Sequence, residues 1–174
     1  MSLTRPTYRL KACEVLYNEH RTVKAKLAEL EPQLRPDVGA PVFAKGLSSL
    51  VRALETELPP HFAKEEEGLF PVIESVTGQG FPPVEVMKAE HKYLIEHFEA
   101  LRGASAKLAV APEAKDPRSE AARHLFPLVG TLDQHIIKED TVLLVMASEQ
   151  LEPSHDNKVL RVYDEIDREG RRWD

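Results

Sequence analysis

The sequence contains the same five-residue pattern twice, and each copy places a histidine four residues before a glutamate. The first copy is His61-x-x-x-Glu65 and the second is His135-x-x-x-Glu139. On an α-helix, residues four apart lie one above the other on the same face. Both copies continue apolar stripes with helical spacing, so the glutamates are expected in a core, where a carboxylate is costly unless it is paired or bound to a metal. The pattern therefore predicts helices packed around a polar layer.

Apolar residues recur at spacings of three and four in four long segments. These spacings predict helices over about residues 8–31, from near 41 to beyond 69, over 83–101 and over 119–149, with a short final helix around 159–166. Pro59 and Pro60 predict a kink or a restart just before His61, because proline removes a helical hydrogen bond. Gly103 to Pro117 is predicted to be a connection. No segment shows sustained alternation with period two, so no sheet is predicted.

The two halves of the chain carry the same polar insertions at corresponding places. A histidine lies inside the apolar stripe of the first and third helices, and the doubled pattern follows 41 and 44 residues later. Two similar helix pairs predict a pseudo-twofold, up-down-up-down four-helix bundle with a short additional C-terminal helix. In such a bundle six side chains reach one level of the core: His20, His61, Glu65, His91, His135 and Glu139.

These six residues are predicted to bind two metal ions. Two carboxylates facing each other in one core layer would favour protonation of one of them unless cations were present. We therefore predict that Glu65 and Glu139 each bridge two metals. Which histidines share a metal stays open, and one arrangement pairs the two histidines of each half. Imidazole and carboxylate together suit iron, manganese or zinc.

The remaining histidines are predicted to lie away from the metal layer: His97 on the surface, His124 towards the bundle end and His155 in an exposed C-terminal segment. Glu57 and Tyr17 lie close enough in sequence that their roles stay open. Four acidic residues adjoin the predicted ligands and are expected in salt bridges between helices, beside the ligands or facing solvent: Glu19, Glu66, Glu90 and Asp140.

Charge and composition exclude several classes of function. The chain has 174 residues and a net charge of -6, without a basic block, which argues against nucleic acid as a partner. No apolar run approaches the ~20 residues that span a bilayer. The single cysteine, Cys13, excludes an internal disulfide and a cysteine-based cluster. We expect one cytoplasmic domain over residues 1–174, with a core at about 8–150 and an extension at 151–174, as a monomer or homodimer.

These motifs resemble the hemerythrin-like family, also called the HHE cation-binding domain. The resemblance covers about residues 8–150 and rests on Glu19-His20, His61-x-x-x-Glu65, Glu90-His91 and His135-x-x-x-Glu139. It implies a four-helix bundle that holds two non-haem iron ions, bridged by two carboxylates and an oxo or hydroxo group. Zinc, manganese or nickel can take the place of iron in recombinant protein. The resemblance also implies binding or sensing of oxygen, nitric oxide or peroxide, or handling of iron.

The sequence departs from the oxygen-carrying members of that family at one position. The carriers have two histidines four apart on the third helix, whereas the residue four after His91 is Ile95. One iron would therefore lack a histidine and keep an open position. This favours sensing, iron handling or small-molecule reactivity over stable oxygen carriage. Two alternatives to a metal- and ligand-binding protein remain: a di-iron oxidase, peroxidase or ferroxidase, and a metal-dependent regulatory module.

Overall fold

The computed structural model describes residues 8–173, and this part of the chain contains helices and no strand, as predicted. In chain order the segments are α1 Lys11–Leu34, α2 Ala40–Ala63, a first π-helical turn Lys64–Leu69, α3 Phe70–Thr77, α4 Pro82–Val110, α5 Lys115–Lys138, a second π-helical turn Glu139–Leu143, α6 Leu144–Gln150 and α7 Pro153–Glu169. Each π turn joins its flanking helices into one continuous rod. Short connections make the four rods antiparallel. The predicted up-down four-helix bundle with a short C-terminal helix is confirmed.

The prolines before His61 do not restart the second rod. Pro59 and Pro60 both lie inside α2, so His61 belongs to the last turn of α2 and not to the first turn of a new helix. Proline leaves the carbonyl four residues before it without its usual donor. For Pro60 this is the carbonyl of Thr56, and Thr56 is exposed. Water can satisfy this carbonyl, which explains why the helix tolerates at least that proline.

The third rod is longer than predicted, and the connection after it is much shorter. α4 continues to Val110, with Gly103 inside it, and α5 begins at Lys115. Ala104 and Leu108 are fully buried along this extension. Both residues lie on the apolar face of the helix, and burying them stabilises it by more than the cost of about 1 kcal/mol that glycine adds in a helix interior.

A polar layer divides the apolar core into two clusters. One cluster is formed by α1, α2, α4 and α5, and the other mainly by α1, α3, α4, α6 and α7. On α1, Leu16 belongs to one cluster and Val23 to the other, with buried His20 between them. α4 repeats this order with Met87 and Leu94 in different clusters. The polar layer is thus sealed on both sides by apolar packing.

α7 packs against the first π turn and α1. Gly68 makes the close approach possible, because an added Cβ would lie 2.8 Å from Cε1 of Tyr163. After α7, Gly170 adopts a left-handed conformation with φ of 63°, and the chain turns so that Trp173 packs on Phe62 and Phe98. Among the helices of residues 8–173, none combines the length and the apolar character that a membrane span requires.

Candidate metal centre

The structure brings the six predicted ligands together in the polar layer, and all six side chains are buried. The four histidines come from four different helices, and the two glutamates come from the two π turns: His20 from α1, His61 from α2, His91 from α4, His135 from α5, Glu65 from the first π turn and Glu139 from the second. This is the single layer that the doubled pattern predicted.

The ligand atoms form two groups that share Glu65. One group contains His20, His61, Glu65 and Glu139, and the other contains Glu65, His91 and His135. The two Nε2 atoms of His20 and His61 lie 3.0 Å apart. The histidines are therefore paired within each half of the chain. The sequence offered this arrangement as one possibility but did not decide between it and others.

Glu65 has the position of a bridging carboxylate. Its Oε1 lies 2.7 Å from Nε2 of His61, and its Oε2 lies 2.8 Å from Nε2 of His91. One carboxylate thus directs one oxygen to each histidine pair. Glu139 is less symmetric, since its Oε2 lies 3.1 Å from Nε2 of His20 and 3.8 Å from Nε2 of His135.

Most of these inward-facing atoms lack a hydrogen-bond partner. Within residues 8–173, the following atoms are buried without one: both oxygens of Glu65, both oxygens of Glu139 and the Nε2 atoms of His91 and His135. Their short nitrogen–oxygen contacts do not have hydrogen-bond geometry. Leaving buried polar atoms without hydrogen bonds is costly, and a cation within each donor group would satisfy them. Imidazole and carboxylate are ligands of non-haem iron, so the residues present fit that metal.

The outer nitrogen of each histidine contacts a carboxylate from another part of the bundle. The four Nδ1 contacts are His20 with Asp140 at 2.7 Å, His61 with Glu19 at 2.8 Å, His91 with Glu66 at 2.6 Å and His135 with Glu90 at 3.1 Å. Such a carboxylate accepts the Nδ1–H proton, fixes the ring and directs the Nε2 lone pair inward. Glu19 and Glu90 were expected in solvent or in salt bridges between helices, and Glu66 and Asp140 beside the ligands or facing solvent. The structure places all four beside the ligands.

Two lysines complete the repeat, but in different environments. Lys64 donates to Glu19 at 2.5 Å, and Lys138 donates to Glu90. The Lys64 side chain is only 4% exposed and also binds Asp167 of α7 at 2.7 Å, whereas the Lys138 side chain is 40% exposed. α7 therefore covers one half of the site and breaks the pseudo-symmetry.

Without a metal, protons compensate the charge of the carboxylates. Burial disfavours the imidazolium form, but the carboxylates of Glu139 and Asp140 together outweigh this effect and raise the pKa of His20 to about 9. Glu65 likewise raises the pKa of His61 to about 10 and that of His91 to about 9, against the effect of burial. Although burial favours the protonated acid, both histidines hold the pKa of Glu65 well below its usual range. A metal that binds here displaces these protons.

The two π turns begin at or next to the buried glutamates Glu65 and Glu139. The N–H of Phe70 donates to the carbonyl of Glu65, five residues back, and Leu144 donates to Glu139 in the same way. A π turn adds a residue to the helical turn and is frequent at functional sites. The π turns were not predicted from the sequence. Adjacent buried residues lie at the end of each turn, such as Leu69 with Phe70, but they give no distinct signal, because regular helical segments also contain such pairs, for example Leu50 with Val51.

The two residues whose roles stayed open are placed outside the donor groups. Glu57 forms an ion pair with Lys26. The ring of Tyr17 packs on that of Tyr8, with 5.6 Å between centroids. Ile95 packs against the apolar cluster of α1, α2, α4 and α5 and supplies no donor atom.

Comparison with known proteins agrees with this geometry. The profile of the hemerythrin HHE cation-binding domain matches residues 12–147 and, in a second match, residues 82–171. The chain belongs to the hemerythrin HHE cation-binding domain family. The second match spans the second half of the bundle and includes α7. The resemblance predicted from the motifs is therefore confirmed, and the chain is a hemerythrin-like, iron-binding protein.

Similar curated proteins include the iron-sulfur cluster repair protein YtfE of Escherichia coli O1:K1, of Escherichia coli strain SMS-3-5 and of Escherichia fergusonii. Each is 30% identical over 138 residues, which is 76% of this chain. The chain spans 63% of the length of these relatives. No solved structure matches this chain.

Proposed function

We propose that the six buried ligands hold two iron ions, and that the site binds a small diatomic or peroxide ligand. The position of Glu65 carries this proposal, because its two oxygens reach histidines of different pairs at 2.7 and 2.8 Å. A carboxylate between two donor groups is the element that a two-metal site requires. Iron supplies the redox chemistry and the ligand binding, while the chain supplies donors, charge and an enclosed environment.

The small ligand is expected to bind at the metal held by His91 and His135. Among the residues that the structure describes, this donor group has three members, whereas the group around His20 has four. Ile95, which replaces the extra histidine of oxygen carriers, adds no donor. The missing protein ligand leaves a coordination position for an external molecule.

Aromatic rings pack on the histidines of this donor group and give it apolar surroundings. The ring of Phe62 stacks on His91 with 3.9 Å between centroids, and Phe70 stacks on it at 6.0 Å. Phe62 also meets the edge of His135 at 6.1 Å. Apolar walls exclude water and favour a diatomic molecule over a larger polar substrate.

Titration of ferrous, iron-loaded protein with nitric oxide tests this function. We expect a stoichiometric change in the iron absorption spectrum and a lower affinity in a Phe62→Ala variant that keeps its iron. Glu57→Ala is the matched control, since Glu57 pairs with Lys26 outside the donor groups. Fully iron-loaded protein that binds neither nitric oxide nor azide would refute the proposal.

The relatives support a second candidate, a role in the repair of iron-sulfur clusters. This candidate rests on the name of those proteins, which the chain matches over 76% of its own length and 63% of theirs. Here the iron would be cargo as well as cofactor. Incubation of the iron-loaded protein with an iron-depleted iron-sulfur protein should then restore that protein's cluster faster than free ferrous iron does. Equal rates would exclude this role.

A further inference from the structure

A second histidine pair lies outside the metal centre, between α4 and α5. The Nδ1 atoms of His97 and His124 are 2.9 Å apart, and their ring centroids are 4.9 Å apart. Both residues are half-buried, so solvent reaches the pair. The sequence predicts His97 at the surface and His124 towards the bundle end, but it does not predict their contact.

The pair is not a copy of anything in the first half of the bundle. The offsets that relate His91 to His20 and His135 to His61 are 71 and 74 residues. The same offsets lead from His97 to Lys26 and from His124 to Leu50. The bundle therefore forms its other half without histidines here, and packing alone does not require the pair.

The pair has the chemistry of a metal chelate. His124 lies eleven residues before His135, or about 16 Å along the helix axis, so the pair is separate from the buried centre. Burial and the neighbouring ring of His124 lower the pKa of His97, which keeps this ring neutral and able to bind metal at neutral pH. Tyr93 packs on His97 with 4.3 Å between centroids and limits the movement of its ring.

We propose that His97 and His124 form a peripheral site for a divalent late transition metal, with copper(II) and nickel(II) favoured. The 2.9 Å between the two Nδ1 atoms fits two imidazoles at about a right angle around one ion, because ligand bonds of about 2.0–2.1 Å at 90° place the nitrogens about 2.9 Å apart. Tetragonal nitrogen and oxygen coordination is characteristic of these two ions. Water completes the coordination on the exposed side.

Copper(II) added to oxidised, iron-loaded protein tests this site. We expect one copper per chain, retained iron, and a paramagnetic resonance spectrum with coupling to two imidazole nitrogens. His97→Gln and His124→Gln should each remove one nitrogen and weaken binding at least tenfold. His155→Gln is the matched control, because glutamine can replace His155 in the N-terminal capping box of α7.

Two results would overturn the proposal. Copper binding with unchanged affinity and spectrum in both variants would place the ion elsewhere and leave the histidines as a hydrogen-bonded pair. Release of iron in proportion to the added copper would place the copper in the buried centre. Thermal melting of each variant checks the fold, and the two single substitutions give independent tests because they lie on different helices.

Discussion

Replacing Glu19 with glutamine should weaken iron binding without removing an iron ligand. Glu19 accepts from Nδ1 of His61 at 2.8 Å and from Nζ of Lys64 at 2.5 Å. Glutamine keeps the side-chain volume but loses the negative charge that makes the Nε2 atom of His61 a stronger metal ligand. Loss of such a partner costs 10- to 100-fold in metal affinity, or about 1.4–2.7 kcal/mol. Glu90→Gln, which affects His135 in the same way, should have an effect of similar size.

The two substitutions should differ in their effect on the stability of the metal-free protein. Lys64 is buried, so loss of its partner Glu19 leaves a buried ammonium with Asp167 as its remaining ion-pair partner. We expect a loss of about 1–3 kcal/mol in the free energy of unfolding. Lys138 has a 40% exposed side chain, and Glu90→Gln should cost no more than about 1 kcal/mol.

Chelator competition measures the iron affinity of each variant, and urea unfolding of metal-free protein measures its stability. Glu57→Gln serves as the control, because its ion pair with Lys26 lies outside the site. Similar losses of iron affinity, together with a larger loss of stability for Glu19→Gln, are the expected pattern. Unchanged iron affinity in both variants would contradict the role given to the outer carboxylates. Equal losses of stability would contradict the effect ascribed to the burial of Lys64 under α7.

Three further perturbations have defined outcomes. Tyr163→Phe should leave metal-free protein equally stable or more stable by up to about 3 kcal/mol in urea unfolding, because the buried hydroxyl has no hydrogen-bond partner within the described part of the chain. A loss above about 1 kcal/mol would reveal a partner. Gly68→Ala should cost about 1–3 kcal/mol in the same assay, because its Cβ would meet the Tyr163 ring, and less in a Tyr163→Leu background. The pKa of His61 is raised from 6.5 to about 10, so its contribution to the stability of metal-free protein is complete below pH 6.5 and is lost as pH rises towards 10; stability that increases over this interval in urea unfolding would contradict the assignment.

The sequence predicted which six side chains meet in the polar layer, because their signal is local and repeated. A histidine four residues before a glutamate fixes a shared face on any helix, and a second copy such as His135-x-x-x-Glu139 reduces the chance of coincidence. The bundle followed from four apolar stripes with one period. The lengths of the rods were harder to predict, because tertiary burial of Ala104 and Leu108 overrides the local preference of Gly103.

Features that depend on contacts between helices could not be predicted from local spacing. Glu19 adjoins His20 in sequence but binds His61, and Asp140 adjoins Glu139 but binds His20. The position of such an acidic residue in the sequence does not show which histidine ring it contacts, because that depends on how the helices pack. The meeting of His97 with His124 and the burial of Lys64 under α7 have the same origin.

The number of iron ions in wild-type protein and in a Glu65→Ala variant tests the central claim most directly. Both would be loaded with ferrous iron without oxygen, freed of excess metal and analysed for iron and protein. Because Glu65 belongs to both donor groups, we predict two iron ions per chain in the wild type and fewer than one in the variant. One iron in the wild type, or two retained without Glu65, would contradict a centre in which this carboxylate bridges two metals.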